Sequence, residues 1–139
     1  KVGVYHNNSD LRLEERPTPE VGPGDLLMEV KSSGICGSDI MEWYRIKRSP
    51  LVLGHEVTGD IVAVGADVDG FALGDRIFAT HHVPCDQCRD CLSGYHTACE
   101  VFRGENNFDP GGFAQYLRIS GRSVSKGTMH LPDEVSYDA

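Results

Sequence analysis

The sequence predicts a mainly β domain with a few short helices. Three observations carry that expectation. Short apolar runs alternate with polar residues at a period of two, as in Leu26–Ser33. Sixteen glycines in 139 residues are scattered among those runs, where tight turns need them, and are not gathered in a linker. Breaker clusters such as Pro17, Pro19, Gly22, Pro23 and Gly24 separate the runs.

Taken in order, Val2–Tyr5 and Leu11–Glu15 read as two strands flanking the turn-forming HNNSD segment. In Leu26–Ser33, Leu26, Met28 and Val30 share one face while Glu29 and Lys31 take the other, the pattern of a half-buried strand. Ser38 is placed to cap a short helix through Met41, Trp43 and Tyr44, and Pro50 ends that stretch. His55–Val64 is a strand with a bulge or bend expected at Gly59, its apolar face continued by Val62 and Val64. Gly65 and the turn at Asp67–Gly70 follow, then strands at Arg76–Thr80, Phe113–Ile119 and near Met129–Leu131. Between them, Asp86–Tyr95 has almost no apolar content and reads as a loop held by something other than a core.

No repeat or composition shift divides the chain, so residues 1–139 are expected to form one domain with one core. The formal net charge of −8 repels a polyanion and argues against nucleic-acid binding. Apolar stretches fall far short of the roughly 18–20 residues of a membrane span. The first turns carry Asn7, Asn8, Asp10, Glu14 and Glu15 where an export signal would be apolar, so the expected compartment is the cytoplasm.

The strongest chemical signal is CDQCRDCLSGYHTAC, with Cys85, Cys88, Cys91 and Cys99 spaced C-x2-C-x2-C-x7-C. Four thiolates complete a tetrahedral zinc shell and leave no open position, which defines a structural site. The competing readings fit less well. A disulfide framework needs an oxidising compartment. An iron–sulfur run has a shorter last spacing and a following proline. A nucleic-acid zinc knuckle carries basic and aromatic neighbours, whereas Asp86, Asp90 and Glu100 stand here. Zinc would order a polar loop that buries too little surface to fold alone. His82 and His96 flank the loop, but four sulfurs leave them no ligand role.

The fifth cysteine, Cys36, lies in GICGSD, and GHE follows at Gly54, His55 and Glu56. A thiolate, an imidazole and a carboxylate make an incomplete zinc set, and an incomplete set leaves room for water or substrate. Each residue also has a plain structural reading. Cys36 can be a buried small hydrophobe, His55 a satisfied core histidine, Ser38 a cap and Asp39 a first-turn charge.

GHEVTGDIVAVGADV at Gly54–Val68 resembles the zinc-dependent alcohol dehydrogenase signature, with Gly59, Gly65 and Val68 where that pattern asks for them. ICGSD at Ile35–Asp39, the four-cysteine loop and GGFAQY at Gly111–Tyr116 resemble further elements of the same family, in the same order. The chain is most similar to the polyol, butanediol and threonine dehydrogenase branch of the medium-chain superfamily. This resemblance implies a GroES-like β-barrel catalytic domain with two zinc ions, one held by the four-cysteine loop. Cys36 and His55 would ligate the catalytic zinc, with Glu56 a ligand or near-ligand. Asp39 would orient His55 through its far ring nitrogen, and Ser38 would take the substrate proton. The implied reaction oxidises a small secondary alcohol or polyol to a ketone by hydride transfer to NAD(P). The alternative is a zinc-stabilised GroES-like scaffold module without catalysis.

Two departures from the family pattern bear on these expectations. No G-x-G-x-x-G dinucleotide fingerprint occurs in the 139 residues, so NAD(P) is expected to bind a Rossmann domain of the full-length protein. The chain alone is expected to bind zinc without turning over alcohols, and the full-length protein to form dimers or tetramers. The position five residues after Cys36, a relay histidine in many relatives, is Met41. Trp43 and Tyr44 are equally compatible with lining a substrate cleft or packing as an aromatic pair.

Overall fold

The computed structural model describes residues 1–104 and 107–139. Its centre is an antiparallel pair, β3 (Leu26–Gly34) and β5 (Glu56–Val64). Around it stand β6 (Arg76–Ala79), β7 (Phe108–Asp109), β8 (Tyr116–Ile119) and β9 (Thr128–His130), giving a six-stranded sheet ordered β7-β8-β3-β5-β6-β9. A second sheet is ordered β2-β1-β4, from β1 (Val2–Asn7), β2 (Asp10–Glu14) and β4 (Leu51–Val52). The expected mainly β architecture is therefore present.

The larger sheet curls around a core that includes Leu26, Met28, Ile61, Ile77, Leu117 and Ile119, each almost wholly buried. Burying such a side chain contributes about 1.5–3 kcal/mol relative to leaving it in water. The curl is produced by two irregularities in the β3–β5 ladder. Val30 pairs with Gly59 and Ser32 with Thr58, so Lys31 is an extra residue on β3. Gly59 is needed opposite it, because a Cβ there would stand 2.1 Å from the Glu29 carbonyl oxygen. Leu27 pairs with Ala63 and Met28 with Ile61, so Val62 is the extra residue on β5. Val62 is accordingly 40% exposed and does not continue the apolar face, contrary to the alternation read from sequence.

The two sheets meet along one seam. Phe113 donates its N–H to Leu53 O at 2.9 Å and accepts from Gly3 N at 2.7 Å, while Gly112 N donates to Gly54 O at 2.8 Å. Ala114 forms an isolated bridge with Val2. The strand expected from Phe113 therefore begins only at Tyr116, since residues 112–114 serve the seam first. Val2, Val4 and Val52 close a small second core against Phe113.

Helical structure is confined to short pieces. A 3-10 turn spans Gly37–Ile40, followed by α1 (Glu42–Arg45). Cys36, not Ser38, occupies the cap position of that turn, so the capping role expected of Ser38 is not the one it plays. The cysteine loop contains α2 (Arg89–Leu92) and leads into α3 (Glu100–Gly104). A seven-residue helix not expected from sequence, α4 (Gly121–Gly127), follows β8. Ser123 on it donates to the Thr80 carbonyl, and Val124 packs into the main core. Among the described residues no helix is long and apolar enough to cross a membrane.

Candidate metal centres and the cavity beside them

The four-cysteine loop closes on itself. The sulfur-bearing donor atoms of Cys85, Cys88, Cys91 and Cys99 all lie within 4.8 Å of one another. Cys85 Sγ is 3.9 Å from Cys91 Sγ and 3.6 Å from Cys99 Sγ. A tetrahedron with Zn–S bonds of about 2.3 Å has edges of roughly 3.8 Å, so the spacing fits one zinc. It is far from the roughly 2.05 Å of a disulfide, and all five cysteines are free.

Backbone geometry prepares the donors. Cys88 N donates to Cys85 Sγ at 3.3 Å and Cys91 N to Cys88 Sγ at 3.5 Å, and such bonds favour thiolates. Amide hydrogen bonds, that of Phe102 first, bring the Cys99 thiol down to about 6. Burial instead pushes the Cys91 thiol up to about 12. A cation among them would offset that burial cost, because coordination deprotonates a thiol.

The second set is assembled by strand register. Gly34 at the end of β3 pairs with Glu56 at the start of β5. Cys36 lies just past one strand and His55 just before the other, so the pairing brings them together. Their donor atoms and a Glu56 carboxylate oxygen lie within 4.8 Å of one another. Gly34 leaves room for the Glu56 carboxylate, since a Cβ there would stand 2.5 Å from Glu56 Oε2 as that side chain is now placed. Gly54 is required before His55, having φ +91° and its would-be Cβ 2.6 Å from Phe113 N. One soft and one borderline donor with a carboxylate suit zinc better than magnesium or calcium.

Asp39 supports both ends of this set and is 4% exposed. Its Oδ2 accepts the Cys36 N–H at 3.0 Å, and its Oδ1 stands 3.6 Å from His55 Nδ1. With Nδ1 turned to Asp39, His55 keeps Nε2 for a metal. Arg45, absent from the sequence reading, locks the same corner. Its Nε donates to Ser38 O at 2.9 Å, and its Nη2 donates to Ser38 Oγ at 2.8 Å and reaches Asp39 Oδ1 at 3.4 Å. The guanidinium also lies 4.9 Å over the Tyr44 ring.

A cavity of about 420 Å³ opens beside the set, lined in part by Ser38, Tyr44, His55, His81 and His82. Tyr44 thus lines the cavity, while Trp43 packs beside it at 5.9 Å and is 70% exposed. The His81 ring centre is 5.0 Å from that of His55 and 3.7 Å from that of His82. Burial, then the neighbouring imidazoles, hold His81 down to about 4, so it is neutral at physiological pH. His82 is lowered as well, again chiefly by burial.

Sequence reading assigned no role to His81 or His82. The missed signal is positional. In the β5–β6 pairing, Val57 faces Ala79, so the chain leaving β6 passes the His55–Glu56 end of β5. Arg45 left no comparable signal, because its reach to Ser38 depends on how α1 turns back.

A fold and a site of this kind define a class: a GroES-like β domain bearing a closed four-cysteine centre and an open Cys-His-Glu set. Residues 22–133 match the alcohol dehydrogenase GroES-like domain, and the chain belongs to that family. L-threonine 3-dehydrogenase of Aeromonas hydrophila is 36% identical over 141 residues, a match covering 97% of this chain and 41% of that protein. Among solved structures, galactitol-1-phosphate dehydrogenase from Escherichia coli is 31% identical with a TM-score of 0.78, covering 99% of this chain and 39% of that one. Alcohol dehydrogenase TADH from Thermus sp. ATN1 is 28% identical with a TM-score of 0.74, over 98% and 41%. The chain thus spans about two fifths of the length of these relatives.

Proposed function

We propose that residues 1–139 are the catalytic domain of a zinc-dependent alcohol or polyol dehydrogenase. The observation that carries this reading is the meeting of Cys36, His55 and Glu56 donor atoms within 4.8 Å, with His55 and Ser38 lining one cavity. The relatives' names, threonine and galactitol-1-phosphate dehydrogenases, describe oxidation of small secondary or polyhydric alcohols and support the same class.

Cys36, His55 and Glu56 would hold the catalytic zinc, and Cys85, Cys88, Cys91 and Cys99 the structural one. Bound at the first set, zinc supplies Lewis acidity that lowers the pKa of a substrate hydroxyl. Ser38 would accept the hydroxyl proton while releasing its own hydroxyl proton to water. Arg45 is a pure donor and takes one lone pair of Ser38 Oγ, which leaves the other lone pair for the substrate and fixes the hydroxyl's direction. Asp39 holds the imidazole of His55 in one tautomer. Leu51–Leu53 and Phe108 give the cavity apolar walls that limit water near the reacting carbon. A nicotinamide cofactor, NAD or NADP, would supply the acceptor for the hydride of the carbinol carbon. Neutral His81 can accept or donate a hydrogen bond to a substrate hydroxyl without adding charge.

Cobalt substitution tests this reading. The chain should take up two Co(II), both with sulfur charge-transfer bands, and Cys36→Ser should remove the weaker, one-thiolate contribution while the four-thiolate bands remain. A small alcohol should shift the d–d bands of the Cys36-bound ion alone. One equivalent of metal, insensitive to Cys36→Ser and to alcohols, is the outcome of the scaffold reading.

A further inference from the structure

We infer that Lys126, on α4, is a positioning residue for the four-cysteine metal centre: its ammonium holds the Cys85–Cys88 turn in the backbone shape that aims the Cys88 amide at Cys85 Sγ. This inference rests on the zinc reading of that loop and adds the part of the chain, outside the loop, that shapes it.

The turn is held in an unfavourable conformation. Among the described residues Asp86 alone, glycines aside, has left-handed backbone, with φ 60°. That region is disfavoured for an L-residue, although Asp tolerates it better than most. It bends the chain sharply after Cys85, so that Cys88 N donates to Cys85 Sγ at 3.3 Å. Such a conformation persists only where its surroundings hold it. Lys126 supplies them. Its Nζ donates to Asp86 Oδ2, to Pro84 O at 3.4 Å and to Cys85 O at 3.5 Å. The three donors of one ammonium thus meet oxygens of three consecutive residues.

Lys126 is itself firmly based. On the same helix Val124 packs into the main core and Ser123 donates to the Thr80 carbonyl, while Thr80 N donates to Gly127 O at 2.8 Å. Gly127 lets α4 close on the chain entering the lobe, since a Cβ there would stand 2.8 Å from Thr80 Cγ2 and from Val83 Cγ1. The helix with a single core residue is therefore the anchor of the cysteine lobe.

An exposed ion pair by itself contributes little, and the Lys126 and Asp86 side chains are 33% and 49% exposed. This pair differs in where it ends. Its carboxylate belongs to the left-handed residue, and the other two bonds reach the carbonyls of Pro84 and Cys85. Four thiolates around one Zn²⁺ leave a net charge of about −2. Loss of the ammonium would leave the turn unheld and a bare carboxylate beside that charge.

The test uses the Cys36→Ser chain, in which bound cobalt reports the four-cysteine site. Cobalt is titrated against a chelator of known affinity, and the four-thiolate d–d and charge-transfer bands give occupancy. In Lys126→Gln the dissociation constant should rise about tenfold, the lower end for groups that support metal ligands. Asp86→Gly takes the left-handed shape with no carboxylate to pair, and should stay within about threefold of the parent. Adding Lys126→Gln to Asp86→Gly should cost no further affinity, because the two act through one contact. Equal thermal midpoints of the metal-free chains confirm that the sheets keep their fold.

A Lys126→Gln chain within about threefold of the parent would overturn the inference and leave the metal centre standing. So would a full further loss, about tenfold, when Lys126→Gln is added to Asp86→Gly, the ammonium then acting on the ion by charge alone. A parent chain without four-thiolate bands would overturn the inference and the zinc reading together.

Discussion

Asp39 shows how one buried carboxylate organises a metal site. It receives the Cys36 amide, faces His55 Nδ1 and meets Arg45, so three separate chain segments converge on it. Asp39→Asn keeps the volume but removes the charge that orients His55. It should lower cobalt or zinc affinity of the Cys36–His55–Glu56 set by about 10–100-fold, read by competition with a chelator, while the four-cysteine site keeps its metal. Asp75 is a plainer case on the surface. The Ala72 N–H at 2.7 Å and then His130 at 3.0 Å hold its carboxyl below the usual 3.8. Its folded pKa is depressed, so its contribution is complete above the unfolded value and is lost as pH falls through the folded one. The difference in thermal midpoint between wild type and Asp75→Asn should therefore shrink as pH falls from about 5 into stronger acid. Metal release is common to both proteins and cancels in that difference.

At the scale of elements, the cysteine lobe is the part with least core of its own. Only Cys91 and Cys99 are buried within Cys85–Cys99, and α2 is a single turn. Cys99→Ser should reduce bound zinc from two per chain to one and open the lobe to proteolysis near Arg89 and Arg103, with the strand ladders still protected from exchange. Much of this level was legible in the sequence, for a physical reason. The strands of the larger sheet bury one face and so print a period of two, and the C-x2-C spacings are set by reach to a single ion. What the sequence did not print was decided by tertiary contact. Val62 alternates like a core residue but is displaced by the register shift opposite Met28. The α4 helix has one core residue, Val124, too few to make a helical period. Phe113 and Ala114 look like strand residues, but they bond to the other sheet instead of extending β8.

For the whole molecule, the ligand pair was legible as residues and not as a place. Cys36 and His55 are nineteen positions apart in a chain where many such pairs carry no function. Only the Gly34–Glu56 register makes them neighbours. The position of His55 has a consequence for motion. It sits on the segment joining β4 of the small sheet to β5 of the large one, beside the Gly54–Gly112 bond, whereas Cys36 extends from β3 of the large sheet. An ion shared by the two would rivet the hinge line between the sheets. The amides of Gly112 and Phe113 then become gauges of occupancy: their hydrogen exchange should slow when the Cys36–His55 site is loaded and quicken when it is stripped. Exchange at Met28 and Leu117, inside one sheet, should stay nearly unchanged.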